Sequence, residues 1–528
     1  MTTTVALVEP LGEGVDPIAA CSRMLDLPFV ILLDSATAHS RPPSHGTGDG
    51  GSPNEAQRLE QYSFLTADPV ALVRSKGEVT QLRRRGDPAW SRVEGDALSV
   101  AQGLLPVTRE PVPGLPPFQG GLAGYIGYDW GATLERLPAP RYDDLAIPDV
   151  VLGLYDWVIA WDHRIGTAWL ISTGLPDSGT GWERRARERM DLVRTRLGGR
   201  ASGVASPVPE ALAESGHPAA PTYPAEEVSG AGAIGLRSTF THRGYLDAVA
   251  RVREYIVAGD IFQANLSQRF QCPQPEPHFQ LYRRLRRKNP APFAAFLGLG
   301  DLAVLSASPE RFLRLDPRNR LVETRPIKGT RPRGLGPMHD AALGRALAES
   351  AKDRAENVMI VDLLRNDLSR VCRPGTVRVP ELFALEQHPT VHHLVSTVLG
   401  ELDPDATAAD LIRATFPGGS ITGAPKVRAM EIIAELEPTR RGVYCGSIGY
   451  ISATGAMDTS IVIRTCLAVH RQIYFQAGGG IVADSDVELE YRETLDKARG
   501  LIETLVESRE PAVGSRETGA PGDASRGF

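Results

Sequence analysis

Apolar positions along this chain follow two periods, one of short buried runs and one of helical spacing. The run Pro28-Phe29-Val30-Ile31-Leu32-Leu33 has the length and composition of a buried strand. Between about 62 and 169 several short apolar segments alternate with turn signals. One of them, Phe118-Gln119-Gly120-Gly121-Leu122-Ala123-Gly124-Tyr125-Ile126, is glycine-dense in a way that predicts close packing between strand backbones and no phosphate loop. Helical spacing covers 181–197, 241–258, about 341–370 and about 486–506, while 302–308, 311–315, 321–324, 443–452, 459–469 and 472–476 read as strands. Runs of strands punctuated by helices predict an α+β protein with large, mostly antiparallel sheets.

Stretches without apolar period divide the chain. The Ser/Gly/Pro/His-rich segment ending near 57 is expected as a surface loop, and the Ala/Pro/Gly/Ser/Glu-rich stretch 199–234 as a flexible linker. That gives an N-terminal region 1–198, a catalytic domain 235–508 and a polar, disordered tail 509–528. With 528 residues, 42% hydrophobic residues and a net charge of −6, the composition is that of a soluble globular chain and disfavours a basic nucleic-acid binder. No apolar run reaches membrane-spanning length, and the first residues lack the pattern of a signal peptide. The five cysteines are odd in number and include no CxxC pair, which predicts reduced thiols and a cytoplasmic setting.

Only six of the 58 basic side chains are lysines. One, Lys328, stands between Pro326 and Gly329 and is flanked by Arg325, Arg331 and Arg333. Lysine can act as an amine nucleophile and arginine cannot, and nearby cations push an amine's pKa down. Lys328 is thus either a nucleophile or a solvated loop cation. Toward the C-terminus, Glu490, Glu493 and Lys497 share one helix face, with Leu489, Leu495, Ala498, Ile502 and Leu505 expected on the apolar side. Asp353 and Glu356 repeat the acidic spacing on the preceding long helix, where Val358, Val361, Leu364 and Leu368 form the expected buried side. Two such faces brought together would suit Mg²⁺, which prefers oxygen ligands and keeps waters; two solvated faces with ordinary helical ion pairs are the commoner outcome. The stretch from Pro417 to Lys426 has a near-Walker spacing, but Ala424 and Pro425 replace the Lys and Ser/Thr that a nucleotide loop requires. Gly478-Gly479-Gly480 is expected to close a strand, as a tight turn or an anion-holding one. Of His388, His392 and His393, at most one is expected in a site, because adjacent His392 and His393 point apart.

Together these stretches resemble the chorismate-utilising enzymes, and among them most closely component I of the aminodeoxychorismate synthases. The resemblance runs through Asp260-Ile261-Phe262-Gln263-Ala264-Asn265, Ser308-Pro309-Glu310-Arg311-Phe312, the Lys328 loop, Ala355 to Leu368, the Gly423 to Lys426 turn, Ile463-Arg464-Thr465 and Glu493-Thr494, and more weakly through Leu33-Asp34-Ser35. It implies antiparallel sheets packed as a sandwich with flanking helices. It implies Mg²⁺ held by Glu356 and Glu493, with Asp353 and Glu490 acting through waters. Gly329, Thr330, Tyr444, Arg464, Lys497 and Gly478 to Gly480 match positions that hold chorismate, Ser420 and His393 match further active-site positions, and Glu310 matches the proton-transfer carboxylate. Lys328 stands where anthranilate synthases usually have a small residue, so the implied reaction is amination of chorismate to 4-amino-4-deoxychorismate through a Lys328 adduct. Gln263 stands where isochorismate and salicylate synthases place a water-activating lysine, which leaves ammonia as the nucleophile. A glutaminase motif is absent from the chain, and the resemblance implies a separate glutamine amidotransferase subunit. Ser35, Pro292 and Phe293 match an amino-acid pocket. The competing expectations are anthranilate synthase component I and a non-catalytic amino-acid-binding subunit.

Overall fold

Two large antiparallel sheets organise the computed structural model, which describes residues 6–12, 14–36, 59–105, 110–177, 181–199, 218–388 and 391–508. The expected surface loop up to about 57 and the tail 509–528 lie almost wholly outside the described residues. One sheet runs from Leu7–Leu11 through Thr167–Ser172, Trp157–Asp162, Tyr62–Thr66 and Val30–Asp34, then on through Phe293–Gly298, Ala303–Ser308, Thr465–Val469, Gln472–Ile481 and Gln263–Pro273. The other begins at Ile327–Pro332 and passes through Val391–Glu401, Leu321–Thr324, Arg311–Asp316, Met457–Ile461 and Ser447–Ser452 to Gly121–Ile126 and strands before residue 156. Both sheets therefore cross residue 235 without interruption. Of the expected linker, 200–217 lie outside the described residues, and Ala231 and Ile234 beyond them are buried in a helix-covered core.

The glycine motif makes one of these crossings possible. Gly124 faces Gly449 across the ladder, and a Cβ on Gly124 (φ +153°) would lie 2.0 Å from the Val151 carbonyl oxygen. A Cβ on Gly449 would lie 2.2 Å from that of Asp458. Bare backbone is the only fit at this seam.

Alternation along each strand places one apolar row between the sheets, where Ile31, Phe64 and Val304 of one meet Tyr125 and Tyr450 of the other, with Phe118 from the preceding loop stacked on Tyr450. The opposite rows carry helices: Ile360, Leu364 and Ile412 cover the second sheet, and Met190, Tyr282 and Leu501 the first. The molecule is an α+β sandwich with helices on both outer faces. No described helix is long and apolar enough to cross a membrane, and all five cysteines are buried and none forms a disulfide.

Three local expectations differ from what the chain does. The long helix over 341–370 is two, Pro337–Glu349 and Ala351–Ser369, because Ser350 leaves the helical region and its Oγ accepts the Asp353 N–H at 3.3 Å, capping the second. The segment 459–469 is two strands in different sheets, Met457–Ile461 and Thr465–Val469, joined through Arg464 at φ +51°. Both strands are buried, so the apolar residues on either side of Arg464 read as one strand and hid the crossing. Leu489 and Val358, placed on apolar stripes, are 62% and 41% exposed.

Candidate active site

The lysine loop forms strand Ile327–Pro332, paired with the histidine strand Val391–Glu401. Its register shifts between Ile327 and Thr330, so Lys328 and Gly329 sit in an irregularity of the kind that re-aims side chains. Gly329 has φ +90°, and a Cβ there would lie 2.8 Å from Leu347 and 3.0 Å from Asp353. The flanking arginines are engaged elsewhere: Arg325 pairs with Glu386, Arg331 with Asp353 at 2.9 Å, and Arg333 with Asp340 at 2.6 Å. The Lys328 amine is still held below its ordinary pKa. Desolvation is the main cause and Lys497 a lesser one, against the charges of Glu356, Glu310 and Glu493.

Glu310 occupies the turn between strands Ala303–Ser308 and Arg311–Asp316, its N–H donating to Ser308 Oγ at 3.3 Å. Burial pushes its carboxyl up to about 7, although Ser420, Lys328 and the Ile327 N–H favour the charged form. Glu310, Ser420 and the lysine strand thus converge. Arg464, at the crossing between sheets, feels Glu310 as its one opposing charge, and burial weakens its hold on its proton. His393 is 3% exposed, hydrogen-bonds through Nδ1 with Thr330 at 2.9 Å and is kept neutral by desolvation. His392 bonds Asp340 at 2.8 Å on the other side of the strand, and His388 pairs with Glu386, so one of the three reaches the lysine strand. Lys426, on the near-Walker turn, donates to Asp367 at 2.6 Å and the Thr415 carbonyl at 2.9 Å, an internal tie.

The acidic face of the last helix lies beside this site, and the charge of Glu493 reaches Glu356 on the other acidic helix. A Cβ on Gly479 would lie 3.1 Å from Glu490 Oε2 and 3.2 Å from Glu493 Oε1, so a bare backbone makes room for both carboxylates. Gly478, Gly479 and Gly480 lie inside strand Gln472–Ile481, paired with Ser267, Leu266 and Asn265, and not in a turn. Lys497 bridges them, pairing with Glu493 at 2.7 Å and donating to the Gly478 carbonyl at 2.9 Å. Desolvation raises Glu356 and Glu490. It would raise Glu493 as well, but Lys497, Lys328 and Lys352 together outweigh it and hold that carboxyl low. Glu490 is 4% exposed: Oε1 accepts from Ser485 at 2.6 Å, and Oε2 is buried without a hydrogen-bond partner. An orphaned carboxylate oxygen among mutually repelling acids fits a hard cation with oxygen ligands. As the side chains stand, no three acidic or histidine groups among the described residues converge closely enough to cage one. Asp353 is occupied by Arg331.

A separate cavity of about 770 Å³ lies between the sheets, lined among others by Ser35, Pro292, Phe293, Tyr450 and Arg311. Asp34 beside it is tied to Arg286 at 2.7 Å and the Tyr282 hydroxyl at 3.1 Å. Two buried residues at the main site, Glu437 and Arg441, escaped the sequence reading. Their i,i+4 spacing is indistinguishable from a solvated helical pair until burial is known.

The profile of the family described as chorismate binding enzyme matches residues 53–503. Aminodeoxychorismate synthase component 1 of Salmonella typhimurium is 44% identical over 90% of this chain and 98% of its own. Anthranilate synthase component 1 of Cereibacter sphaeroides is 39% identical over 93% and 94%. Among solved structures, anthranilate synthase component I of Streptococcus pneumoniae superposes with a TM-score of 0.68 at 30% identity, covering 88% of this chain and 96% of that one.

Proposed function

This chain belongs to the chorismate binding enzyme family, and from that premise we propose that it aminates chorismate to 4-amino-4-deoxychorismate with ammonia from a separate glutamine amidotransferase subunit. One observation carries the choice: a desolvated lysine amine on a strand irregularity, within the field of a carboxyl whose pKa is near 7. The relatives' names support amination and anthranilate formation at similar identity, so the residue at 328 decides between them.

Arg464, Tyr444 and Thr330 hold the substrate's carboxylates and hydroxyl. The neutral Lys328 amine attacks C2 of chorismate; the ring double bonds shift, and the C4–O bond breaks with its electron pair on oxygen. Glu310 gives its proton to that oxygen, which leaves as water. Ammonia then adds at C4, the double bonds shift back, and the C2–N bond to Lys328 breaks. Glu310 recovers its proton from the added nitrogen, so the net exchange is hydroxyl for amine. Glu356 and Glu493, with Asp353 and Glu490 behind them, would hold Mg²⁺, which supplies positive charge for the ring carboxylate when bound.

Mass spectrometry of the purified chain incubated with chorismate, Mg²⁺ and an ammonium salt tests this reading. Aminodeoxychorismate without pyruvate is expected; anthranilate with pyruvate would overturn it in favour of the other branch. The cavity at Ser35, Pro292 and Phe293 takes a free amino acid in this reading. Tryptophan should then raise the melting temperature equally in wild type and in Lys328→Arg, and no rise in either would remove that assignment.

A further inference from the structure

Four segments of the site meet on one buried guanidinium. Arg441 is 4% exposed and is gripped by Glu437, with Nε on Oε2 at 2.9 Å and Nη2 on Oε1 at 2.7 Å. It also donates to the Ile421 carbonyl at 3.1 Å, next to Ser420, and to the Asn265 carbonyl at 2.6 Å, two residues from Gln263. Asn265 in turn donates to the Ser420 carbonyl at 3.2 Å. The guanidinium carbon lies 4.6 Å from the Tyr128 ring centre and 5.7 Å from that of Tyr444, whose N–H donates to the Arg441 carbonyl at 3.2 Å. Glu437 completes the junction by accepting from Ser267 N and Oγ at 2.8 and 2.9 Å, and Gln476 donates to the Arg441 carbonyl at 3.2 Å. No single strand or helix spans these segments. A planar fork with five donors can join them, and an ammonium cannot reproduce it.

We propose that Arg441, oriented by Glu437, is a positioning residue of the chorismate site that sets Tyr444 and Ser420 against the substrate. It touches no reacting atom and acts through those two side chains. The proposal rests on the reading that this site processes chorismate.

The test is steady-state kinetics of wild type, Arg441→Lys, Glu437→Gln, Tyr444→Phe and the Arg441→Lys/Tyr444→Phe double variant, with chorismate, Mg²⁺ and an ammonium salt, after circular dichroism has established folding. In Arg441→Lys, kcat/KM for chorismate should fall by about 10²-fold, as misplacement by an ångström does. The fall should come with a raised KM for chorismate and an unchanged KM for ammonium. Loss of folded enzyme alone would lower kcat and leave both KM values in place. The double variant should lose less than the product of the single losses, because both act on one contact. Glu437→Gln, which keeps the shape and one acceptor oxygen, should show the same KM pattern more weakly, and it carries the test if Arg441→Lys does not fold. Wild-type KM for chorismate in the folded variants, or fully multiplicative losses in the double variant, would overturn the proposal alone. A wild-type chain that consumes no chorismate would overturn the underlying reading, and the proposal with it.

Discussion

At Lys328 the lowered amine pKa owes more to dryness than to neighbouring charge. The three arginines that surround it in sequence are each paired with a carboxylate, and desolvation is what holds the amine down. Lys328→Arg keeps the cation but has no free amine, so it should abolish any covalent mass adduct with chorismate while leaving the melting temperature within about 2 °C; intact-mass spectrometry checks this. Glu310 gives a second expectation, and its sign is fixed. In the proposed reaction Glu310 gives up its proton and must be protonated, so adduct formation without ammonia should decline as pH rises through about 7. Glu310→Gln should lower the rate by roughly 10²- to 10⁴-fold and remove that declining limb. Because the folded chain binds this proton more tightly than the unfolded chain, Glu310 costs stability as pH climbs from 4.5 to about 7. The same variant should therefore melt higher at pH 8, by about 1–3 kcal/mol of stability. Lysine's rarity beside arginine marked residue 328 in the sequence. The cause of its shifted pKa was not legible there, since which arginines are neutralised depends on Glu386, Asp353 and Asp340 arriving from other elements.

Secondary elements were most legible where one face meets solvent. Helix His242–Val257 follows its period closely, while strand Val30–Asp34, buried on both faces, showed only as an apolar run. The break at Ser350 was harder to see, because apolar spacing continues on either side and only the cap residue betrays it. The glycine run 478–480 read as a turn because glycine usually punctuates. Here it thins a strand so that carboxylates can approach its face. Gly479→Ala would place a methyl 3.1 and 3.2 Å from the Glu490 and Glu493 oxygens. It should raise the Mg²⁺ concentration for half-maximal activity about tenfold, a cost of about 1.4 kcal/mol, with the fold intact by circular dichroism. Gly124→Ala strikes a carbonyl that cannot move and should lower stability by about 3 kcal/mol in denaturant unfolding.

Across the whole molecule, the sheets join the two halves that composition separates. Phe293–Gly298 lies between Val30–Asp34 and Ala303–Ser308, and Ser447–Ser452 lies beside Gly121–Ile126. Scanning calorimetry should record one cooperative transition, and residues 235–508 produced alone should not give a cooperative melt, since each sheet would end on an uncovered apolar edge. The α+β class with antiparallel sheets follows from strand patterns in the sequence and the sandwich only from the family resemblance, whereas the interleaving could not be read, because pairing partners hundreds of residues apart leave no local period.

Lys328, Thr330, His393 and Gly478 to Gly480 are all built into strands, while Arg464 sits where the chain steps from one sheet to the other. Glu310, Ser420 and Tyr444 come from turns between such elements, with Glu310 and Ser420 tied to neighbouring strands through Ser308 and Asn265. On the reaction proposed above, a new chemistry on such a frame would arrive by exchanging single letters at fixed addresses, 328 and 263 foremost, while the frame itself is inherited whole. A lineage of enzymes built this way would diversify in chemistry far faster than in shape.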